Sequence, residues 1–223
     1  MSETKRHLEN RTALYLVLME LFASDSSIGS EQFVYFDETN PKRCLSPDAF
    51  VKRNVSDELF SVWKTWERGA PDLGVEIISD SDARDADWKD KLSRYRAAGF
   101  QEVVRYDVEN KTSPIRVWDS IHGDLVERAA DDPNRHFCRT LGLWWLSLKD
   151  AEYGPMLRLA RDREGQEVLP TPSEARVEEV MAHQKTKQAL AAAEREAQDA
   201  KARAEQAEQE LLQLKAALAR QAR

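Results

Sequence analysis

One acidic residue stands inside an otherwise apolar segment of this 223-residue chain. The segment is residues 73–78, with the sequence LGVEII, and its β-branched residues predict a strand. In a strand, Glu76 lies on the face opposite Val75 and Ile77, and apolar neighbours on both faces indicate that it is buried. A buried carboxylate without a partner is strongly unfavourable or becomes neutral. The pattern therefore predicts a cation beside Glu76, and a divalent metal ion would supply it.

A second acid, Asp48, opens another predicted strand at Asp48–Val51. If this strand pairs beside the strand of Glu76, the two carboxylates could bind Mg²⁺ and leave coordination positions for water and a phosphate oxygen. Metal-assisted hydrolysis of a phosphodiester requires that arrangement. Pairs of acids also arise by chance, so this pair alone leaves a functional and an incidental interpretation open.

A lysine interrupts the apolar face of the helix predicted over residues 82–98. Trp88, Leu92 and Tyr95 define that face, and Lys91 lies three residues after Trp88 and four before Tyr95. A lysine pointing towards a carboxylate cluster could orient an attacking water or stabilise charge on a phosphorane. The alternative is a lysine whose stem covers apolar surface while its ammonium reaches solvent, which is the commoner arrangement.

Several stretches of the chain, taken together, resemble a known family. They are His7 through Leu21, Asn40 through Val51, Trp66 through Asp72, Val75 through Ser79, Lys91 through Tyr95 with Gly99 and Asp107, Leu141 through Leu143, Met156 through Leu159, and Leu169 through Glu174. These stretches resemble the Uma-two family, a restriction-endonuclease-like branch of the PD-(D/E)XK nuclease superfamily, in a subgroup with a C-terminal coiled coil. The resemblance covers nearly the whole chain.

The resemblance implies that Asp48 and Glu76 are the metal-binding acids and that Lys91 is the catalytic lysine. The superfamily usually carries this lysine two residues after the glutamate, where the present chain has Ile78. That departure agrees with the shifted arrangement of the family.

Two further residues are possible accessory members of the site. His7 stands where family members often have a histidine, although an ordinary histidine at a helix start is an equal alternative. Asp72 is less favoured as a ligand, because four strand positions separate it from Glu76, roughly 13 Å at about 3.3 Å per residue. The acidic segment that many members carry before the first helix has no counterpart here.

The order of predicted elements indicates an α/β fold with a mixed sheet flanked by helices, and the resemblance implies a restriction-endonuclease-like version of it. A helix is predicted over Lys5–Ala23 and a polar break over Ser24–Ser30. The remaining strands are predicted at Gln32–Phe36, Phe100–Asp107, Ile115–Trp118 and Asp124–Glu127 with a turn at His122-Gly123, Leu141–Leu148 and Met156–Ala160.

The final quarter of the chain is predicted to be one long helix. Thr171-Pro172-Ser173-Glu174 forms a capping box with proline at the first helical position. From Leu190 onward, leucine and alanine hold a seven-residue repeat typical of a coiled coil, although its many alanines bury little area, and a lone solvated helix is the alternative. The predicted division is a nuclease-like domain at residues 1–172 and a coiled-coil helix at 173–223.

Charge, cysteine content and hydropathy limit the function classes. The formal net charge is -7, and the segment from Glu174 onward is neutral, so residues 1–173 carry the excess acid. Because DNA-binding proteins usually present a basic surface, DNA contact would require a local basic patch or bound metal cations. Two cysteines favour neither a disulfide framework nor a zinc site. The sequence contains no signal peptide or membrane span, and we expect a cytoplasmic protein.

Two hypotheses about function follow. The first is a metal-dependent endonuclease that hydrolyses phosphodiester bonds in DNA with Mg²⁺ or Mn²⁺ held by Asp48 and Glu76. The second is a catalytically inactive nuclease-fold module that recruits partner proteins through its coil. Under either hypothesis we expect a homo-oligomer, a dimer or higher, formed through the core, the coil or both. A ligand pocket at Trp144 and Trp145 is a weaker option, because paired tryptophans on a strand more often pack on both sides of a sheet.

Overall fold

The computed structural model describes residues 4–78 and 85–221. Contacts within the chain divide it into two compact units, residues 1–172 and residues 173–223. The first unit contains helices and three β-sheets, and the second is a single long helix. The predicted α/β class, with a mixed sheet and a long C-terminal helix, is confirmed.

A six-stranded sheet forms the centre of the first unit. In spatial order its strands are β1 (Ser26–Gly29), β4 (Ala49–Arg53), β6 (Leu73–Ile78), β7 (Glu102–Asp107), β8 (Ile115–Ile121) and β9 (Asp124–Glu127). β6 and β7 run parallel, and every other neighbouring pair is antiparallel. The sheet is therefore mixed.

Two three-stranded sheets complete the first unit. One contains β2 (Val34–Tyr35), β3 (Cys44–Leu45) and β5 (Trp63–Lys64), and the other contains β10 (Arg135–Cys138), β11 (Leu143–Asp150) and β12 (Gly154–Ala160). In β11, Trp145 is fully buried while Trp144 is half-buried against the ring of Phe137, so the two tryptophans point to opposite faces of the strand.

Helices pack on both faces of the central sheet. α1 (Lys5–Phe22) buries Leu14 and Leu18 in a cluster that includes Val75 and Ile77 of β6. On the opposite face, the described part of α3 (Asp85–Ala98) packs in a second cluster of mainly aromatic residues. A short helix, α2 (Thr65–Arg68), precedes β6. Each face of β6 therefore meets a separate apolar layer, as its unbroken apolar sequence predicts.

The α3 boundary and the hairpin turn agree with the sequence. Gly99 follows α3 with a φ of 84°, the left-handed conformation expected after a helix. Residues 82–84 of the predicted helix lie outside the described residues. Between β8 and β9, His122 and Gly123 have φ values of 52° and 83°, as a two-residue hairpin turn requires.

The prediction of a polar break over Ser24–Ser30 is wrong. Residues 26–29 form strand β1, which pairs antiparallel with β4 and is fully buried. Small hydroxyl side chains can be buried here because they find partners: Ser26 donates to Asp25 at 2.8 Å and Ser27 to Asp57 at 3.1 Å. Serine content normally indicates a loop, and the pairing with β4 overrides this local preference.

The second unit is helix α4 (Pro172–Gln221), which has 50 residues and begins at the proline of the capping box. Its apolar residues Val177, Val180, Met181 and Leu190 are all about half exposed or more. Among the described residues, no helix is both long and apolar enough to cross a membrane. The coiled coil stays a prediction.

Candidate active site

The pairing of β4 with β6 sets Asp48 beside Glu76. Ala49 pairs with Val75 in antiparallel register, so Asp48, the residue before β4, lies alongside Glu76 on the neighbouring strand. Both side chains are buried, with only 7% of Asp48 and 3% of Glu76 exposed. The structure thus brings together the two acids that the sequence singled out, within the apolar interior of the sheet.

Helix α3 supplies two partners to Glu76. The Nζ atom of Lys91 lies 2.6 Å from Oε2 of Glu76, and the hydroxyl of Tyr95 donates to Oε1. Lys91 and Tyr95 are four residues apart and therefore project from the same face of the helix. The Lys91 side chain is 34% exposed, so its ammonium contacts the buried carboxylate without being enclosed itself.

A glycine allows α3 to approach this closely. Gly74 lies two residues before Glu76 and on the same face of β6. A Cβ atom at this position would lie 2.6 Å from the ring of Tyr95 and 2.9 Å from the ring of Phe100. Any larger residue would push these rings away, and the Tyr95 hydroxyl would move with its ring.

Burial dominates the electrostatics of Glu76. Burial raises its pKa from 4.5 to about 7, the Lys91 ammonium opposes that shift, and the Asp48 carboxylate adds to it. Burial also raises the pKa of the Tyr95 hydroxyl well above its usual value, helped by the charge of Glu76. Tyr95 therefore stays protonated and acts as a hydrogen-bond donor. One lysine does not fully compensate two neighbouring buried acids.

Asp48 is held by the backbone of β6 and lies close to His7. Its Oδ2 accepts from the amide of Ile77 at 2.6 Å, and its Oδ1 lies 3.2 Å from Nε2 of His7. The same Nε2 lies 2.8 Å from the carbonyl oxygen of Ile77, which can only accept, so Nε2 carries a proton in this contact. The first turn of α1 thereby places His7 at the site.

Asp72 has different partners. Its Oδ1 lies 3.2 Å from the Nζ of Lys52, and its Oδ2 accepts from the amide of Arg53 at 2.8 Å. Both partners belong to the end of β4 away from Asp48. The structure thus brings Asp48, Glu76, Lys91 and His7 together and does not join Asp72 to them.

Sequence reasoning missed the Tyr95 hydroxyl as a partner of Glu76. It assigned this residue to the apolar face of α3, and Tyr95 is indeed fully buried. The available signal was its four-residue spacing from Lys91, which predicts that both side chains face the same strand. Nothing in the sequence indicates that the phenol reaches a carboxylate rather than a backbone carbonyl.

A pocket of about 260 Å³ opens next to the site. Its lining includes His7 and Ile77 of the site, together with Arg6 and Glu109, which form an ion pair at 2.9 Å. His7 links the pocket to Asp48, because its Nε2 lies 3.2 Å from Oδ1 of that residue, but neither Asp48 nor Glu76 lines the pocket itself.

The donor atoms of the site suit a hard divalent cation. Asp48 and Glu76 offer carboxylate oxygens, and Mg²⁺ is commonly bound by one or two carboxylates, with water and substrate phosphates completing its shell. Within residues 4–78 and 85–221, no three His, Cys, Asp or Glu side chains converge as a ready-made metal cluster. The two carboxylates can therefore supply part of the coordination shell of such an ion.

Comparison with known proteins identifies one matching family model. The Uma2 model, described as "Putative restriction endonuclease", matches residues 1–149. No curated protein matches the chain. One similar solved structure is a "putative nuclease belonging to DUF820" from Anabaena variabilis ATCC 29413, at 14% sequence identity and a TM-score of 0.45, covering 69% of this chain and 76% of that one.

Proposed function

The chain belongs to the Uma2 family of restriction-endonuclease-like proteins, and from this premise we propose that it is a metal-dependent endonuclease that hydrolyses phosphodiester bonds in DNA. Asp48 and Glu76 hold Mg²⁺ or Mn²⁺, and Lys91 assists the reaction. Family membership supports the nuclease class. The metal, the DNA substrate and the residue roles are parts of the proposal.

One observation supports the metal most strongly. Glu76 is almost completely buried and its pKa is raised to about 7, although Lys91 lies 2.6 Å away. The nearby Asp48 adds a second negative charge to the same interior. Water cannot solvate these charges, and a divalent cation would stabilise both in their ionised forms.

The residues of the candidate site have distinct parts in the proposed reaction. Mg²⁺ or Mn²⁺, if held by Asp48 and Glu76, would polarise a phosphoryl oxygen and lower the pKa of a water molecule. Tyr95 fixes the orientation of Glu76, and the Ile77 amide fixes that of Asp48. The ammonium of Lys91 belongs to a side chain that is 34% exposed, and its positive charge would stabilise negative charge on a phosphate that approaches the site.

The acidic composition sets a condition on DNA binding. The net charge of -7 resides on residues 1–173, which repels a polyanion at long range. Cations bound at Asp48 and Glu76 reduce this repulsion where the scissile phosphate must approach. We therefore expect DNA affinity to depend on divalent metal as well as on ionic strength.

A cleavage assay tests the proposal. Purified protein is incubated with supercoiled, linear and single-stranded DNA and Mn²⁺, alongside Asp48→Asn, Glu76→Gln and Lys91→Met. Glu127→Gln is the matched control, because Arg116 holds that carboxylate at 2.6 and 2.7 Å on the edge strand β9. The proposal predicts cleavage by the wild type and the control, reduced about a hundredfold or more in the three site variants. Equal cleavage in all five proteins, or none in any, would contradict it.

The alternative function is a catalytically inactive nuclease-fold module that recruits partners through its coil. The observation in its favour is that Lys91 and Tyr95 already contact both carboxylate oxygens of Glu76. This alternative predicts no thermal shift with Mg²⁺, Mn²⁺ or Ca²⁺. A retained metal site would instead stabilise the fold by roughly 2.7 kcal/mol at a metal concentration a hundredfold above its dissociation constant.

A further inference from the structure

Residues 190–221 of α4 carry two columns of charged residues beside the predicted heptad seam. With Leu190 and Ala193 in the two seam positions, one flanking column is Glu194, Lys201, Glu208 and Lys215, and the other is Glu196, Arg203 and Glu210. All seven residues are exposed, and the sign alternates along each column. In coiled coils these flanking positions determine partner, register and orientation.

We propose that residues 190–221 form a two-stranded antiparallel coiled coil with a second copy of this chain. Residue 204 of one helix lies level with residue 207 of the other. Arg203 then faces Glu210 of the second copy, and Lys201 faces its Glu208. Glu194 and Lys215 form the third kind of pair. The twofold symmetry of the dimer repeats each of these three pairs. Each pair joins a positive to a negative side chain, so all the facing charges are opposite.

The same charges specify the register. If the helices slide by one heptad towards a longer overlap, Arg203 faces Arg203 and Glu196 faces Glu210. If they slide one heptad in the other direction, Glu208 faces Glu208 and Glu210 faces Glu210. Like charges at these positions are unfavourable, so each neighbouring register is disfavoured.

The size of the seam residues selects the antiparallel orientation. A parallel, in-register pair also joins opposite charges, such as Glu196 with Lys201 and Arg203 with Glu208. However, the seam holds alanine at positions 193, 197, 200, 204 and 207 and leucine at 211, 214 and 218. A parallel pair sets alanine against alanine and leucine against leucine, and the two halves would need different distances between the axes.

The antiparallel pair removes this mismatch. In the register given above, positions 211, 214 and 218 face positions 200, 197 and 193 of the second copy. The leucines at 211, 214 and 218 are then each level with an alanine, so the layers at the two ends of the pair have the same volume and one interaxial distance serves both ends. Only the central layers, 204 with 207, set alanine against alanine. The exposed seam of α4, from Leu190 to Ala207, becomes covered along its length.

A charge exchange tests the orientation in the full-length chain. Arg203→Glu sets glutamate against Glu210 and should weaken dimerisation about tenfold in 0.1 M salt, measured by sedimentation equilibrium. The double variant R203E/E210R restores opposite charges in the antiparallel pair, and its dissociation constant should return to about threefold of wild type or less. In a parallel pair, the double variant meets Glu208 and Lys215 with like charges. A double variant no tighter than the single one, or a wild type that stays monomeric, would overturn the proposal.

Spin-label distances provide an independent measurement. Arg195→Cys and Gln209→Cys, each made in a Cys44→Ser background with Cys138 buried, place labels on the outer face of the coil. In the antiparallel pair, residue 195 lies level with residue 216 of the second copy, so the two labels at position 195 are separated by about 31 Å along the axis. Residue 209 lies level with residue 202 of the second copy, so the two labels at position 209 are separated by only about 10 Å along the axis. The proposal predicts a clearly longer distance for the first label. Equal distances, or no dipolar coupling, would refute it.

Discussion

The buried carboxylate of Glu76 makes stability depend on pH. In the unfolded chain its pKa is near 4.5, and in the native protein it is about 7. Between these values the native state binds more protons than the unfolded state, so raising the pH lowers the free energy of unfolding. We predict that the metal-free wild type loses on the order of 3 kcal/mol relative to Glu76→Gln between pH 4.5 and pH 7.5.

Urea denaturation in EDTA at both pH values measures this difference. Glutamine cannot ionise, so the Glu76→Gln variant should gain on the wild type as the pH rises. The Glu127→Gln variant, in which a partly exposed acid is changed, should show no such gain. A constant difference between wild type and Glu76→Gln across this pH range would mean that Glu76 is not strained when ionised.

Tyr95 should stabilise both the fold and the ionised state of Glu76. Tyr95→Phe removes the hydroxyl that donates to Oε1, leaving a buried acceptor with one partner fewer, at a cost of about 1–3 kcal/mol. That hydrogen bond also lowers the pKa of Glu76, so the variant should bind metal more weakly than the wild type at pH 7. Tyr106→Phe is the matched control, because its hydroxyl contacts Ser147 instead. A similar loss of metal affinity in both variants would contradict the assignment.

Sequence reasoning reached part of the site because charge in an apolar context is visible locally. Glu76 stands out in its strand, and Lys91 stands out on a helix face; their ion pair was therefore foreseeable. The contacts made by Asp48 with the Ile77 amide and with His7 depend on tertiary placement. Three strands or helices lie between Asp48 and each of these partners along the chain, so the contacts cannot be inferred from sequence spacing.

At the scale of elements, the contact of β6 with α3 depends on Gly74. Alanine at this position would overlap the rings of Tyr95 and Phe100, and we predict a loss of about 1–3 kcal/mol. Gly74→Val should cost more than Gly74→Ala. Chemical denaturation and near-ultraviolet circular dichroism of the aromatic rings would measure this, and variants as stable as the wild type would show that α3 is not held at this distance.

The element predictions succeeded where the sequence has a clear local pattern, and failed where a strand forms only through pairing with another part of the chain. α1, β6, α3 and the β8–β9 hairpin each have a clear apolar pattern or turn signal. β1 was missed because its residues, Ser26 to Gly29, are loop formers when considered alone. β2 lies within the strand predicted at Gln32–Phe36, whereas β3 and β5 were not predicted. These two have only two residues each, too few to generate any periodicity, and they exist through their hydrogen bonds to β2.

At the scale of the whole molecule, the two units should separate cleanly. All the described members of the two apolar clusters lie within residues 1–172. This fragment should therefore fold alone. We predict that a chain ending at Pro172 unfolds cooperatively with a midpoint within about 4 °C of the full-length protein, a shift that corresponds to less than about 1 kcal/mol. Loss of cooperative unfolding in the fragment would mean that the helix is needed for the fold.

The central claim is that Asp48 and Glu76 jointly hold a divalent cation, and calorimetric titration with Mn²⁺ measures it directly. The account predicts one bound ion per chain at pH 7.5 in the wild type and in Glu127→Gln, with binding weakened at least about tenfold in Asp48→Asn and in Glu76→Gln, as loss of one ligand from a two-carboxylate site requires. Equal binding in all four proteins, or no heat of binding in the wild type, would contradict it.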